Sequence, residues 1–324
     1  MAQARTKREF DASWPQVWQV AGRIDQVPRP GDYVTSAIGR DSVVAVRSSD
    51  AEGSVFDNVC QYRGNRLLHD ESGSLAGGTF QWAYHGWRYI DVGCLDWVYD
   101  EVDFSQGSPC GVRNLVEIAS DTWGGFIWFN MDPDVRPLRE LPPALRPPAN
   151  AVGDERASLR MPIRHVSVGP RLDADARRGA GPALRRASGA PLGALRADLE
   201  FWGVDPEPYR NDLVGLRATP HPTDPTKSVF DMWYLTMFPE GDNEYWSNSM
   251  GDRVSRDHEV KHEVGVVGVV SCGPGIDRDV AIWTSQQQGL TSRGCCGDCM
   301  PDQERQIRFL HDTIDRLLAL GSLP

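Results

Sequence analysis

The chain has 324 residues, 40% of them hydrophobic and 24% charged, with a formal net charge of −11. That length allows two or three domains, each with a sizeable core, and the composition is that of a globular protein. An acidic balance repels phosphate backbones and anionic lipid, so neither nucleic acid nor membrane is expected as a partner. No apolar run reaches the length of a membrane span. The opening Met1–Phe10 carries Arg5, Lys7, Arg8 and Glu9 and lacks the apolar stretch of a secretory signal. A cytoplasmic location is therefore expected. Seven cysteines, Cys60, Cys94, Cys110, Cys272, Cys295, Cys296 and Cys299, are an odd and unevenly spread set. In such a compartment they read as free thiols or metal ligands, not a disulfide framework.

Taken in chain order, short β-prone runs are predicted at Val43–Arg47, Ser54–Val59, Thr79–Tyr84 and Phe126–Asn130. They are separated by Arg29-Pro30-Gly31-Asp32, Gly73, Gly77-Gly78 and Gly124-Gly125. Short strands with turn signals at this spacing indicate a small antiparallel β domain. The proline-rich stretch from Asp132-Pro133 to Pro147-Pro148 reads as a linker. From Arg171 to Glu200 there are eight Ala, six Arg and four Gly, with no aromatic, no His and no clean period. This segment is expected to be weakly structured. Its composition is also that of GC-rich DNA read in another frame, or of a segment drifting without selection. Further on, Ser228–Phe238 and Val264–Ser271 read as strands. Pro301–Leu320 reads as a helix with Ile307, Leu310, Ile314, Leu317 and Leu318 on one face and Gly321 at its end.

Two loops carry the chemistry. The first is Cys60-Gln61-Tyr62-Arg63-Gly64; the second is Trp82-Ala83-Tyr84-His85-Gly86-Trp87. A Rieske [2Fe–2S] centre binds one iron through two Cys and the other through two His. With Trp14 and Trp18 upstream, in an opening that reads WPQVWQVAGRIDQVPRPGDYVT, the chain resembles the large (alpha) subunit of Rieske ring-hydroxylating oxygenases. That family writes the two loops as Cys-x-His-Arg-Gly and Cys-x-x-His-Gly-Trp. The resemblance therefore places Cys60 and His85 at ligand positions, with Tyr62 where a His is expected and Trp82 where the second Cys is expected. Trp offers only an N–H donor, and the Tyr phenol is largely protonated at neutral pH. Trp82 is also bulky enough to fill the vacated volume with apolar surface.

The family's second centre is a mononuclear iron held by two His and one carboxylate. By its spacing to Gln287 and Gly289, Asp279 matches the carboxylate. The paired His should fall on a helix near residues 170–200, which contains none. His165 and His221 have no partner at helical spacing. His258 and His262 are four apart but lie among Arg253, Arg256, Asp257, Glu259, Lys261 and Glu263, which reads as a solvated charged helix. Cys295-Cys296-Gly297-Asp298-Cys299 supplies half of a four-ligand zinc site and reads as free thiols. No dinucleotide-binding, P-loop or nucleophile-elbow motif is present.

The resemblance implies an α+β fold. Residues 1–13 are a tail, 14–148 a Rieske-like antiparallel β domain, and 149–324 a helix-grip catalytic-like domain with a curved antiparallel sheet and a long C-terminal helix. It implies a trimer or hexamer, with a homologous active alpha subunit and a reductase or ferredoxin as partners. This chain is then expected to be a non-catalytic assembly subunit of an aromatic-ring or steroid oxygenase, with no cofactor of its own. [2Fe–2S] and Fe(II) would belong to the partner. Two alternatives stand beside it: an active oxygenase fed by a separate NAD(P)H reductase, and a stand-alone binder of an apolar ligand. In either, Trp202, Met232 and Trp233 are candidate pocket residues.

Overall fold

The structure is a computed structural model. It describes residues 2–48, 53–81, 86–141, 157–167, 200–203, 212–221, 224, 227–237, 243–247, 252–255, 263–266, 281, 285, 289, 292, 294 and 305–321. Two units emerge: Trp18–Glu140, and Met1–Val17 together with Leu141–Pro324.

The first unit holds ten strands: β1 (Gln19–Arg23), β2 (Asp32–Ile38), β3 (Asp41–Val46), β4 (Ser54–Asp57), β5 (Ser72–Ser74), β6 (Thr79–Gln81), β7 (Arg88–Ile90), β8 (Leu95–Trp97), β9 (Glu117–Trp123) and β10 (Phe126–Asn130). Seven of them form a sheet in the order β1-β10-β9-β4-β3-β2-β5, and β6-β7-β8 form a second sheet. All the pairings are antiparallel. The turn residues explain the register. Gly124 and Gly125, with φ +61° and +75°, make the two-residue loop that sets Trp123 opposite Phe126. Such loops need positive φ at both central positions. Val44, Val46 and Phe56 from the large sheet meet Phe80, Tyr89 and Leu95 from the small one in a single buried cluster, which also takes in Cys60 and Trp87. Burying an aliphatic or aromatic side chain of this size contributes about 1.5–3 kcal/mol.

The second unit holds helices α1 (Ala2–Ala12) and α2 (Arg305–Leu320) and strands β11 (Ala157–Ser167), β12 (Glu200–Gly203), β13 (Asp212–Pro220), β14 (Ser228–Met237), β15 (Glu244–Ser247), β16 (Asp252–Ser255) and β17 (Glu263–Val266). The five-stranded sheet runs β12-β13-β14-β11-β17, and β15 pairs with β16. It is antiparallel except at one edge, where β17 joins β11 in parallel. A parallel neighbour needs a long crossover, and the chain between Ser167 and Glu263 supplies it. A bulge between Leu159 and Met161 interrupts the register of β11 just before Pro162.

The opening residues, expected only as a tail, form α1, and α1 packs on α2. Ala12 and Val17 bury against Ile314, Leu317 and Leu318. Arg5 bridges Glu9 at 3.0 Å and Asp315 at 3.2 Å. Gly321, at φ +92°, ends α2 by donating its N–H to the Leu317 carbonyl, the left-handed cap that glycine favours. The expected helix at residues 258–262 lies outside the described residues, although Arg253, expected among its neighbours, stands in strand β16. No helix among the described residues is long and apolar enough to cross a membrane.

Candidate functional site

The first motif loop hangs from β4 and is closed at its base by Asn58, which is fully buried. The Asn58 carboxamide donates to the Leu68 carbonyl at 2.7 Å and accepts from the Leu68 N–H at 2.9 Å, reading that residue's backbone from both sides. Its Nδ2 also donates to Ser42 Oγ at 3.2 Å. Inside this closure the Cys60 N–H donates to the Asn65 carbonyl at 2.7 Å, and the Gly64 N–H to the Cys60 carbonyl at 3.0 Å. Gly64, at φ +72°, takes the left-handed conformation the tight turn requires. Backbone groups that would otherwise be orphaned are thus satisfied within the loop itself.

The Cys60 thiol is buried, with Sγ 3.4 Å from the Tyr89 hydroxyl. That hydroxyl accepts the Gln61 N–H at 3.0 Å. Burial, reinforced by the contact with Cys60, raises the Tyr89 pKa well above the usual phenol range. Tyr89 therefore keeps its proton and can donate it toward the sulfur. Tyr62 is half-buried. Its ring lies on Trp87 with centroids 5.0 Å apart and planes at 35°, and Trp87 in turn meets the edge of Phe104 at 6.2 Å. The Arg63 guanidinium sits 4.9 Å from the centroid of the Tyr62 ring and donates to its hydroxyl at 3.3 Å.

Of the second loop, Trp82 and His85 lie outside the described residues. Gly86 is described, with φ +69°, and a Cβ there would stand 3.0 Å from the Trp97 ring. Next to it, Arg88 holds Asp96 through two hydrogen bonds, at 3.0 and 2.8 Å. Asp57, three residues before Cys60, has its carboxyl pushed up to about 6 by burial and by the neighbouring charge of Asp41.

In the second unit Asp279, His258, His262, Cys295, Cys296 and Cys299 lie outside the described residues. His165 stands in β11 opposite Phe230. His221 forms a turn: its Nδ1 accepts the Asp224 N–H at 3.0 Å. Trp233 is buried. Trp202 and Met232 are placed only by their strand positions, opposite Val214 and Leu216 respectively. Adjacent strand residues alternate between faces, so positions 232 and 233 belong to opposite faces of the sheet.

Sequence reasoning missed one feature of that sheet. Arg217 on β13 and Asp231 on β14 are register partners, and both are buried. Asp231 Oδ2 accepts from Arg217 Nε at 2.8 Å and from Nη2 at 2.5 Å. The guanidinium also lies 5.2 Å from the Trp233 ring centroid. Among the described residues no group of three His, Cys, Asp or Glu side chains converges as a metal site.

Comparison with known proteins follows this geometry. Residues 17–101 match the family model of the Rieske [2Fe-2S] domain. The benzene 1,2-dioxygenase subunit alpha of Pseudomonas putida is 34% identical over 130 residues, 38% of this chain and 27% of that one. The biphenyl 2,3-dioxygenase subunit alpha of Rhodococcus jostii is 30% identical over 140 residues, 42% of this chain and 29% of that one. These matches thus span less than a third of the length of the curated relatives. Among solved structures, a quaternary ammonium Rieske monooxygenase superposes with TM-score 0.66 at 17% identity, over 96% of this chain and 91% of that one. The naphthalene 1,2-dioxygenase of Rhodococcus sp. gives TM-score 0.64 at 17% identity, over 98% and 92%. The α+β fold read from the sequence is shared with these solved structures, and residues 17–101 carry a Rieske-family domain homologous to that of ring-hydroxylating dioxygenase alpha subunits.

Proposed function

We propose that this chain is a non-catalytic assembly subunit of a hetero-oligomeric Rieske-type oxygenase, without an intact cluster or mononuclear iron of its own. The observation that carries this reading is Tyr62. It occupies the position where the family's loop carries a histidine, its ring rests on Trp87, and its hydroxyl is taken up by Arg63. The second cysteine position holds Trp82. A cluster needs two thiolates and two imidazoles, and this donor set offers one thiol, one imidazole, a phenol and an indole, so the residues present do not fit it. The Cys60 thiol faces a phenol that holds its own proton, and the loop around it is closed by protein hydrogen bonds. A homologous active alpha subunit is the partner this reading requires, in a trimer or hexamer served by a reductase or ferredoxin. An aromatic or other apolar ring compound would be that partner's substrate, and Asp279 is the remnant of an iron ligand set.

The deciding measurement is iron and acid-labile sulfide per chain, with a visible spectrum, on protein expressed alone and again with its genomic neighbours. A colourless, iron-free chain that enters a coloured complex only with a partner is the expected result. Two irons and two sulfides per chain from protein expressed alone would overturn it and favour an active oxygenase. The double substitution Tyr62→His and Trp82→Cys restores the family's donor types. It is expected to gain iron, sulfide and colour that the parent lacks.

A further inference from the structure

The ladder between β3 and β4 ends on two carboxyls. Asp41 is the first residue of β3 and Asp57 the last of β4. Asp57 is the register partner of Val43, so Asp41, two residues along, lies diagonally across from it on the same face of the pair. Val43 is buried, and Asp57 beside it is partly buried. Among the described residues no hydrogen-bond donor and no cation reaches the Asp57 carboxyl. Arg40 leans instead on Asp41, at 3.7 Å in solvent. On β9, Asp57 meets Val116, to whose carbonyl it donates its N–H at 2.9 Å. Glu117 is the partner of Phe56 and belongs to the other face. On the loop side Arg66 stands opposite Val59 and is exposed. Burial and the charge of Asp41 thus act on Asp57 unopposed, and hold its carboxyl at about 6.

The next residue along each strand carries the closure of the Cys60 loop. Asn58 donates its N–H to the Ser42 carbonyl at 2.8 Å and its Nδ2 to the Ser42 hydroxyl at 3.2 Å, while its carboxamide brackets the Leu68 backbone. Repulsion and closure therefore sit on the same two dipeptides, Asp41-Ser42 and Asp57-Asn58, at the end of a ladder, where local opening starts. We propose that these dipeptides form a proton-operated clasp: with Asp57 protonated the loop stays shut over the Cys60 thiol, and with both carboxylates charged the ladder end parts, Asn58 releases Leu68, and the thiol opens to soluble thiol reagents. A free thiol at Cys60 rests on the cluster-free reading above; the clasp itself does not. The shut state binds the Asp57 proton more tightly than the open one, where the carboxyl returns toward 3.8. Opening is thus favoured as pH rises through about 6. Between about pH 5 and pH 7.5 a full return multiplies the open fraction about tenfold, and solvent screening of a partly buried group trims this to about fivefold.

The test uses the full chain. Hydrogen exchange at the Leu68 amide, corrected for the base catalysis of exchange itself, should give an open fraction about fivefold higher at pH 7.5 than at pH 5. That exchange should be insensitive to low urea, as a local opening is. Asp57→Asn should abolish the pH dependence, and Asp41→Asn should weaken it. Alkylation of Cys60 by iodoacetamide, read on its own peptide by mass spectrometry and taken as the ratio of parent to Asp57→Asn at the same pH, should rise by a similar factor. Iron and sulfide are measured on the same protein: a bound cluster would overturn the cluster-free reading and leave Leu68 exchange to decide on the clasp. The clasp is refuted by equal Leu68 profiles in parent and Asp57→Asn, or by exchange that follows urea with the slope of whole-unit unfolding. It is refuted equally by a flat Cys60 alkylation ratio in a cluster-free chain whose Leu68 amide opens.

Discussion

The Cys60 loop and the centre of the β13–β14 pair both bury polar groups, by opposite means. The loop satisfies its backbone with neutral hydrogen bonds, two of them made by the Asn58 side chain at the base of the loop. The sheet buries two full charges, Arg217 and Asp231, that answer each other directly. A neutral network forfeits about one hydrogen bond's worth for each contact removed. A buried ion pair is balanced only while both partners are present, because each charge has already lost its water. The loop should therefore fail gradually, and the sheet abruptly.

The largest expected effect tests that contrast at the sheet. Asp231→Asn removes the carboxylate that accepts two hydrogen bonds from the buried Arg217 guanidinium, and should lower the free energy of unfolding by about 3–5 kcal/mol in a denaturant titration. Replacing both members with apolar residues of similar volume should recover most of that loss. A single Asn variant as stable as the parent would show that the pair carries no such imbalance.

At the loop, Asn58→Ala strips both Leu68 backbone groups of their partner and should cost about 2–3 kcal/mol. It should also speed alkylation of the Cys60 thiol, since the closure at the loop base is lost. Unchanged thiol reactivity alongside lowered stability would mean that Cys60 is protected by the aromatic packing alone.

Asp57 adds a pH dependence. Its folded pKa of about 6 lies above the ordinary value of 3.8, so the folded state binds the proton more tightly than the unfolded chain. This contribution is fully present below about pH 4 and is lost as pH rises through about 6. Allowing for solvent screening of a partly buried group, the change amounts to about 1–2 kcal/mol. Asp57→Asn should flatten that part of the stability–pH curve and raise stability at pH 7. A curve of the same slope in the variant would assign the dependence to another group.

The smallest effect is Tyr89→Phe, which removes the acceptor of the Gln61 N–H and the hydroxyl beside Cys60 for about 1 kcal/mol. Hydrogen exchange at the Gln61 amide should accelerate. If it does not, the 3.0 Å contact contributes no protection.

Local pattern made part of this molecule legible. The run Phe126–Asn130 after Gly124-Gly125 is a strand with the bounds its sequence indicates. The apolar spacing of Ile314, Leu317 and Leu318 gave the C-terminal helix. The two motif loops carried the family resemblance because glycines and a Cys at fixed spacing are a local signal. The short strands β5 and β8 were not legible, since three residues carry too little periodicity to stand out. Helix α1 was hidden by a polar sequence, AQARTKREFDA, whose packing on α2 is decided by contacts three hundred residues away in the chain. The Arg217–Asp231 pair was invisible for a related reason: fourteen residues separate its members, and only the strand register brings them together. Asn58 looks like any loop asparagine until Leu68 is seen on both sides of its amide.

The pairing of β1 with β10 makes the stretch from Trp18 to Glu140 a cassette. It enters at Gln19 and leaves near Phe129, which are direct partners at one margin of the seven-stranded sheet. The Trp18 indole, just before β1, donates to the Arg136 carbonyl, a few residues after β10, at 3.2 Å. An evolving gene could copy, exchange or lose such a piece by cutting at two points that touch in space. Substitutions inside it need not be matched at the junctions.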